Sequence, residues 1–474
     1  MASDARSYEL PPGPPFPPLL NVLLLHVQGV PWTLPYLAWC GRRWGAPGGG
    51  GFTLRGFATM VFVTDPKAGR EAALGDIERV HAGEANGILH PLVGQSVITM
   101  DGPEMLERKR LVIEPLHNPD FLAFAAASIA EIAQEAVSRW PRGQVLALRR
   151  RMQEITLDVI IRLVFGAESP QEAADLRGRL LHLLDVCDPP FFLMLFWPEQ
   201  YTGSGLFSRL GGPVVRWLAR AGRGPWGEFL RARTAVDEAI YSLIRRREED
   251  SRSAARNDIL SLLVHNRRGV RLNRVQLRNE LMTFLLAGHE TTASALAWFF
   301  DLLLHHPDAL ARVRRDLAGG DDRYLEAAIQ ETLRLRPPIG ELGRMLVEPY
   351  TLHVGQGEAA RCYRLPARAR DGRRVMLMPS IWLIQHDAAS YADPERFQPE
   401  RFLDQRPDPL VWLAFGGGQR QCLGYRFAPF EIREVVRAVL GAVDLRAASP
   451  RLERVVVRRI TLEPARGTRV VVTG

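Results

Sequence analysis

The chain has 474 residues, a formal net charge of +8 and a pI near 9.7, and 46% of it is hydrophobic, enough to bury a core of cofactor size. Its positive charge is almost wholly arginine, with Lys67 and Lys109 the two lysines, and it is dispersed without a nucleic-acid-reading motif, so no nucleic-acid partner is expected. Four cysteines, Cys40, Cys187, Cys362 and Cys422, stand far apart with no C-x-x-C pair, which argues against a disulfide framework and for a reducing compartment, the cytoplasm.

Residues 1–50 form a Pro-rich lead-in. The run Pro11-Pro12-Gly13-Pro14-Pro15-Phe16-Pro17-Pro18 precedes an apolar stretch, 19–30, whose core Val22-Leu23-Leu24-Leu25 is far too short to span a bilayer. No basic region precedes it, so it is a poor signal peptide, and no transmembrane anchor is expected. Phe52-Thr53-Leu54-Arg55 and Thr59-Met60-Val61-Phe62-Val63-Thr64 read as strands. Asp65-Pro66 then opens a helix as N-cap and first residue. Residues 83–99 read as a long loop, and 103–303 are almost wholly helical. Within that region 152–165 is apolar on most faces and predicts a buried helix. Residues 188–227, rich in Pro, Gly, Phe and Trp, interrupt the pattern and are expected to form a mobile lid, after which helical periodicity runs to Glu249. No linker divides the chain, so one large, mainly α domain over 51–474 is expected.

The longest periodic helix is 273–305. Its middle, Ala287-Gly288-His289-Glu290-Thr291-Thr292, places a glycine, a charge and two β-branched hydroxyls among leucines and phenylalanines, leaving room for a local distortion. Helix 323–336 stops at Pro337-Pro338 and carries Glu331 and Arg334 on one face. Such a pair alone is usually a solvated surface bridge. Residues 391–402 are turn-rich. Residues 423–443 read as helix with Pro429 as an expected bend, and Arg469-Val470-Val471-Val472 as a closing strand.

Between these helices lies Leu413-Ala414-Phe415-Gly416-Gly417-Gly418-Gln419-Arg420-Gln421-Cys422-Leu423-Gly424. A cysteine at the end of a glycine-rich loop and before a helix is a candidate soft metal ligand, because turn and helix N–H groups favour its thiolate. A lone cysteine in such a turn is more often inert. The full spacing Phe-x-x-Gly-x-Arg-x-Cys-x-Gly tips the reading toward a ligand.

Together with the Glu-x-x-Arg pair, the Arg401-Phe402 segment and the Ala-Gly-x-Glu-Thr helix, all in this order, the loop strongly resembles the cytochrome P450 family of haem-thiolate monooxygenases from about residue 52 onward. The resemblance implies a single triangular, mainly α domain with a small β-rich lobe near the N-terminus, and haem b as cofactor. It casts Cys422 as the ligand to iron, Phe415 as the aromatic beside it, and Gly416, Gly418 and Gly424 as the residues that let the loop approach. Arg420 and Arg344 match propionate contacts, with Lys109 supplying a further charge where Arg is common and Met105 standing where many members have His or Trp. Ala287 and Gly288 fall on the cofactor side of the distal helix. Glu290 and Thr291 match the acid–alcohol pair that delivers protons, His289 being read as non-catalytic. Glu331, Arg334 and Arg401 match a structural charge triad, and Leu89, Val93, Phe284, Ala287 and Ile339 match substrate-pocket walls. Between 354 and 374 the chain departs from the family's tight turn and leaves the local strands undetermined.

The implied activity is insertion of one oxygen atom from O2 into a hydrophobic small molecule, by hydroxylation or epoxidation. Electrons would come from a separate ferredoxin or flavodoxin and an NAD(P)H-dependent reductase, drawn to a basic face. The alternatives are a haem-thiolate peroxygenase or isomerase that does not use O2, and a haem-binding sensor. The intact Glu290-Thr291 pair argues against the first, and turnover separates the second.

Overall fold

A computed structural model describes residues 8–26, 33–45, 50–187 and 224–473, apart from 57, 76–77, 267–268 and 356; residues 188–223, and with them most of the expected lid, lie outside the described residues. The helix Arg274–Leu304 is the axis of the molecule. It starts at a capping box, where Asn273 Oδ1 accepts from the Gln276 amide and Gln276 Oε1 accepts from the Asn273 amide, both at 2.9 Å. Leu281, Leu296, Trp298 and Phe300 are wholly buried, so the helix runs through the core instead of over it. The helices Leu148–Leu163, Gly224–Glu249, Arg323–Leu335 and Phe427–Ala442 pack around it.

The distortion expected at 287–292 is absent: the helix is continuous there. Thr291 Oγ1 donates to the Ala287 carbonyl at 2.6 Å, the bond by which a hydroxyl is accommodated inside a helix without breaking it. Pro429 also proves harmless. The helix begins at Phe427, so the proline sits in the first turn, where no intrahelical donor is required. The stretch 83–99 is more ordered than a loop, with short turns Ala82–Ala85, Gly87–Leu89 and His90–Val93. Asp101 holds their start by accepting from the amides of Gly83 and Glu84, each at 2.8 Å.

Twelve short strands are described: β1 Gly51–Arg55, β2 Thr59–Val63, β3 Val80–His81, β4 Val145–Ala147, β5 Arg344–Leu346, β6 Tyr350–Val354, β7 Arg361–Leu365, β8 Val375–Pro379, β9 Leu445–Ala447, β10 Val455–Arg458, β11 Thr461–Pro464 and β12 Arg469–Val472. Five form one sheet in the order β1-β2-β8-β5-β3, with β2 and β8 parallel. The departure at 354–374 resolves into the antiparallel hairpin β6–β7. The expected N-cap is present as Asp65, whose Oδ1 accepts from the Ala68 amide at 2.8 Å at the start of Pro66–Leu74. One described helix, Pro119–Ser138, is long and apolar enough to cross a membrane; its Phe121, Ala125, Ile129 and Ala133 are buried against its neighbours.

Candidate active site

The cysteine loop is fixed from three sides. Gly418, at φ +59°, adopts a backbone that a side chain resists, and a Cβ there would lie about 3.0 Å from the backbone of Leu74 at the end of Pro66–Leu74. The Cys422 amide donates to the Phe415 carbonyl at 3.0 Å, closing the loop on itself, and Phe415 packs edge-on against Trp412. Lys109, on the helix Gly102–Ile113, donates from Nζ to the carbonyls of Gln419 and Gln421, each at 2.7 Å. The lysine expected to supply charge to a propionate is therefore seated on the loop itself. Desolvation there lowers its pKa to about 8, against an opposing pull from Cys422.

The Cys422 side chain is reachable by solvent although it lies deep among neighbours, as a ligand facing an internal space must be. Burial pushes its thiol up, and the Gly424 amide and Lys109 offset this only in part. On the distal helix Ala287 is exposed between half-buried neighbours, and Thr291 is half-exposed between buried Glu290 and Thr292. An open alanine in the middle of a core helix marks an internal space. Gly288 faces elsewhere: a Cβ there would come 3.3 Å from Ile160 Cδ1, so this glycine lets the helix Leu148–Leu163 approach. That is a packing role.

Two arginines serve this region. Arg344 is buried, and its Nη1 and Nη2 donate to the carbonyls of Gly343 and Ala73, each at 2.9 Å. Among the described residues its Nε has no partner and no carboxylate bonds to it. Desolvation, with repulsion from Arg420, lowers its pKa to about 10. Arg420 pairs with Asp101 and with the carbonyls of Val97, at 2.9 Å, and Met100, while its Nε is also unpartnered. Two neighbouring guanidinium groups with one carboxylate between them leave a buried positive excess. A dianionic group such as a haem with its two propionates would fit that excess, and the reachable thiol is the donor available to its metal.

Glu290 is held in a cage that the sequence did not reveal. Its carboxylate meets Arg149 Nη2 at 2.5 Å, Arg459 Nη1 at 2.8 Å and Gln153 Nε2 at 3.1 Å. Burial raises its pKa, but His289 and the two arginines outweigh that and hold it below the ordinary value. Arg149 also bonds to Glu463 at 2.5 Å. The only sequence signal was the charge itself, in the Arg149-Arg150-Arg151 run and at the Arg458-Arg459 turn. His289 is buried, with Nδ1 3.0 Å from Thr156 Oγ1, and desolvation lowers its pKa to about 4.

Behind the loop, Arg334 meets Glu331 in two bonds, Nε to Oε2 at 2.7 Å and Nη2 to Oε1 at 3.0 Å, both side chains wholly buried. Arg401 Nε lies 3.4 Å from the same carboxylate. The three residues come together as expected. Of the pocket residues, Phe284 and Ile339 are half-buried and Ala287 open. Leu89 and Val93 are buried among the residues of the main core.

A mainly α protein whose reachable cysteine loop adjoins a buried cationic site and a core-crossing helix has the construction of a haem-thiolate oxygenase. The family model for cytochrome P450 matches residues 213–449. "Putative cytochrome P450 135B1" of Mycobacterium tuberculosis strain H37Rv is 37% identical over 479 residues, covering 99% of this chain and 92% of the relative. CYP175A1 from Thermus thermophilus superposes with a TM-score of 0.66 at 27% identity, covering 96% and 97% of the two chains. The retinoic-acid-bound cyanobacterial CYP120A1 gives 0.73 at 22% identity, covering 98% and 99%. The chain belongs to the cytochrome P450 family. It is a monooxygenase with haem b as its cofactor.

Proposed function

We propose that Cys422 is the thiolate ligand of the haem iron and that a hydrophobic small molecule is oxidised between the haem and the helix Arg274–Leu304. The observation that carries this reading is Arg344, a buried cation with an unpartnered Nε and no anion of its own, beside a loop that presents a reachable thiol. When bound, haem with an anionic sulfur ligand supplies reductive activation of O2, one oxygen atom entering a C–H or double bond and the other leaving as water.

The chain's own residues do the rest. Arg344 and the free edge of Arg420 receive the propionates. Lys109, through the carbonyls of Gln419 and Gln421, sets the direction from which Cys422 meets the metal. The Glu331–Arg334–Arg401 cluster keeps the segment 396–401 in place behind the loop, Gln398 donating its amide to Glu331 at 2.9 Å. Thr291 donates to Ala287, so its oxygen lone pairs stay free to hold a water inside the site. Glu290, ionised and caged, connects that water to the surface. Side-chain exposure rises from 9% at Glu290 to 24% at Arg459; swung off one arginine, the carboxylate takes a proton from surface water, passes it to the water held by Thr291 and returns to the cage as the anion. Phe284, Ala287 and Ile339 give the pocket its apolar wall.

The catalytic unit is residues 51–474, acting in the cytoplasm. Electrons arrive from a separate ferredoxin or flavodoxin, reduced by an NAD(P)H-dependent enzyme, at the side of the loop flanked by exposed Arg110 and Arg426. Reduced protein with CO tests the ligand directly. The red-shifted Soret band of thiolate ligation is expected, and a band typical of histidine ligation removes Cys422 from its role.

A further inference from the structure

The helix Pro18–His26 buries a polar residue and leaves an apolar face open. Its polar residue Asn21 is fully buried, donating from Nδ2 to the Arg55 carbonyl at 3.0 Å and accepting at Oδ1 from Tyr36 OH at 2.7 Å. Leu24 and Leu25 pack inward on the core, but three leucines face the other way, with Leu19 68%, Leu20 39% and Leu23 50% exposed. A surface helix ordinarily does the reverse. The anomaly continues onto the next helix, Thr33–Trp44, where Trp39 is 41% exposed. Phe16 stacks on Trp39 at 6.3 Å, and Trp44 meets it edge-on at 4.8 Å, so the two helices present one apolar face with an aromatic seam. Clustered exposed leucines and a tryptophan mark an interaction site, since scattered single residues would need no explanation.

The margin of this face identifies what covers it. Arg42 and Arg43 lie three and four residues after Trp39, on the same side of their helix, and both are exposed. Arg43 lies over the Trp44 ring at 5.7 Å. Protruding leucines, an indole at their edge and guanidinium groups beside it match the layering of a bilayer surface: acyl chains, interface, anionic headgroups. A second copy of the chain is disfavoured, because a two-fold contact through this face brings the arginine pairs of both copies together.

We propose that residues Leu19, Leu20, Leu23 and Trp39, with Arg42 and Arg43, form a docking face for the surface of an anionic lipid bilayer. The helix lies on the membrane and does not cross it, since nine residues span under half of the hydrocarbon thickness. Electrostatic attraction brings the arginines to the headgroups, and the leucines then enter the boundary with the acyl chains.

The test is co-sedimentation of the full-length, haem-loaded protein with vesicles of phosphatidylcholine alone or mixed with phosphatidylglycerol. Binding to the anionic vesicles is expected, weakening as salt rises. The double variant L19S/L23S should lower the partition coefficient about tenfold or more, since it removes two large apolar groups. R42Q/R43Q should abolish the preference for anionic over neutral vesicles. Both pairs are surface residues, and an unchanged CO-difference spectrum and melting curve establish that each variant is folded. Absence of binding to anionic vesicles overturns the proposal. So does binding that L19S/L23S leaves unchanged, or a dimer in sedimentation velocity that L19S/L23S dissolves.

Discussion

Arg420 and Glu280 hold the same residue, Val97, by its two ends. Arg420 Nη1 donates to the Val97 carbonyl at 2.9 Å, and the Val97 amide donates to the Glu280 carboxylate at 3.3 Å. Arg420 belongs to the cysteine loop and Glu280 to the core-crossing helix, so one residue of the 94–101 segment ties the two sides of the site together. Arg108 approaches the same carboxylate at 3.4 Å. Burial nevertheless raises the pKa of Glu280 to about 7, these contacts only partly opposing it.

Arg344 carries the cleanest prediction for cofactor retention. Replacing it with glutamine removes a buried charge-assisted contact, typically about 1.5–3 kcal/mol. The rate of haem transfer to an apo-acceptor protein should rise about tenfold or more. Lysine at this position should restore only part of the loss, because it lacks the planar fork.

Lys109 should act on the ligand without touching it. Lys109→Met removes both donors to the loop, and the loop then loses the clamp on either side of Arg420. A larger share of the reduced CO complex should appear in the blue-shifted form that signals a lost or protonated thiolate. Lys109→Arg should keep most of the red-shifted form, since a guanidinium can also serve two carbonyls.

Thr291→Ala tests the proton path. It leaves the helix intact, because the hydroxyl bonds only within its own turn. NAD(P)H consumption should continue while product yield falls several-fold and hydrogen peroxide accumulates. Unchanged coupling would place the relay elsewhere.

Glu431 makes stability depend on pH. It is buried on the helix Phe427–Ala442 with one oxygen unpartnered, and burial alone raises its pKa to about 8. The folded chain therefore keeps a proton that the unfolded chain releases near pH 4.5, so this contribution is full below that pH and is lost as pH rises toward 8. The Glu431→Gln variant should lose that slope in urea unfolding, gaining on the order of 3 kcal/mol over the native chain at pH 8 relative to pH 5.

Motifs whose chemistry is local were legible in the sequence: the glycine loop around Cys422, the proline stop after Arg334, and the Asp65 cap. The Glu331–Arg334 pair was legible only in company, since a Glu-x-x-Arg alone says nothing about burial. Contacts between distant segments were not legible. Gly288 is a glycine because Ile160 lies against it, and the cage around Glu290 draws on residues up to 169 positions away. Lys109 reads as a propionate partner by its place in the chain, yet its side chain finds two carbonyls more than 300 residues later. Thr291 shows the limit from the other side. Its residue type permits a hydroxyl that bonds its own helix as readily as one that opens it.

The strand β12 pairs with β4 in the register Arg469–Ala147, Val470–Leu146 and Val471–Val145. Just before it, the carbonyls of Thr468 and Gly467 accept from the amides of Leu148 and Arg149, each at 3.0 Å. The backbone that aims Arg149 at Glu290 is thus stapled by residues far downstream of the cysteine loop. Cleavage at Arg466 would leave every residue proposed to hold the haem in the chain and still unlatch one of the two cations that keep the distal carboxylate in place. Such a fragment would bind haem with a normal spectrum and handle protons badly, so a good spectrum is no certificate of an intact enzyme.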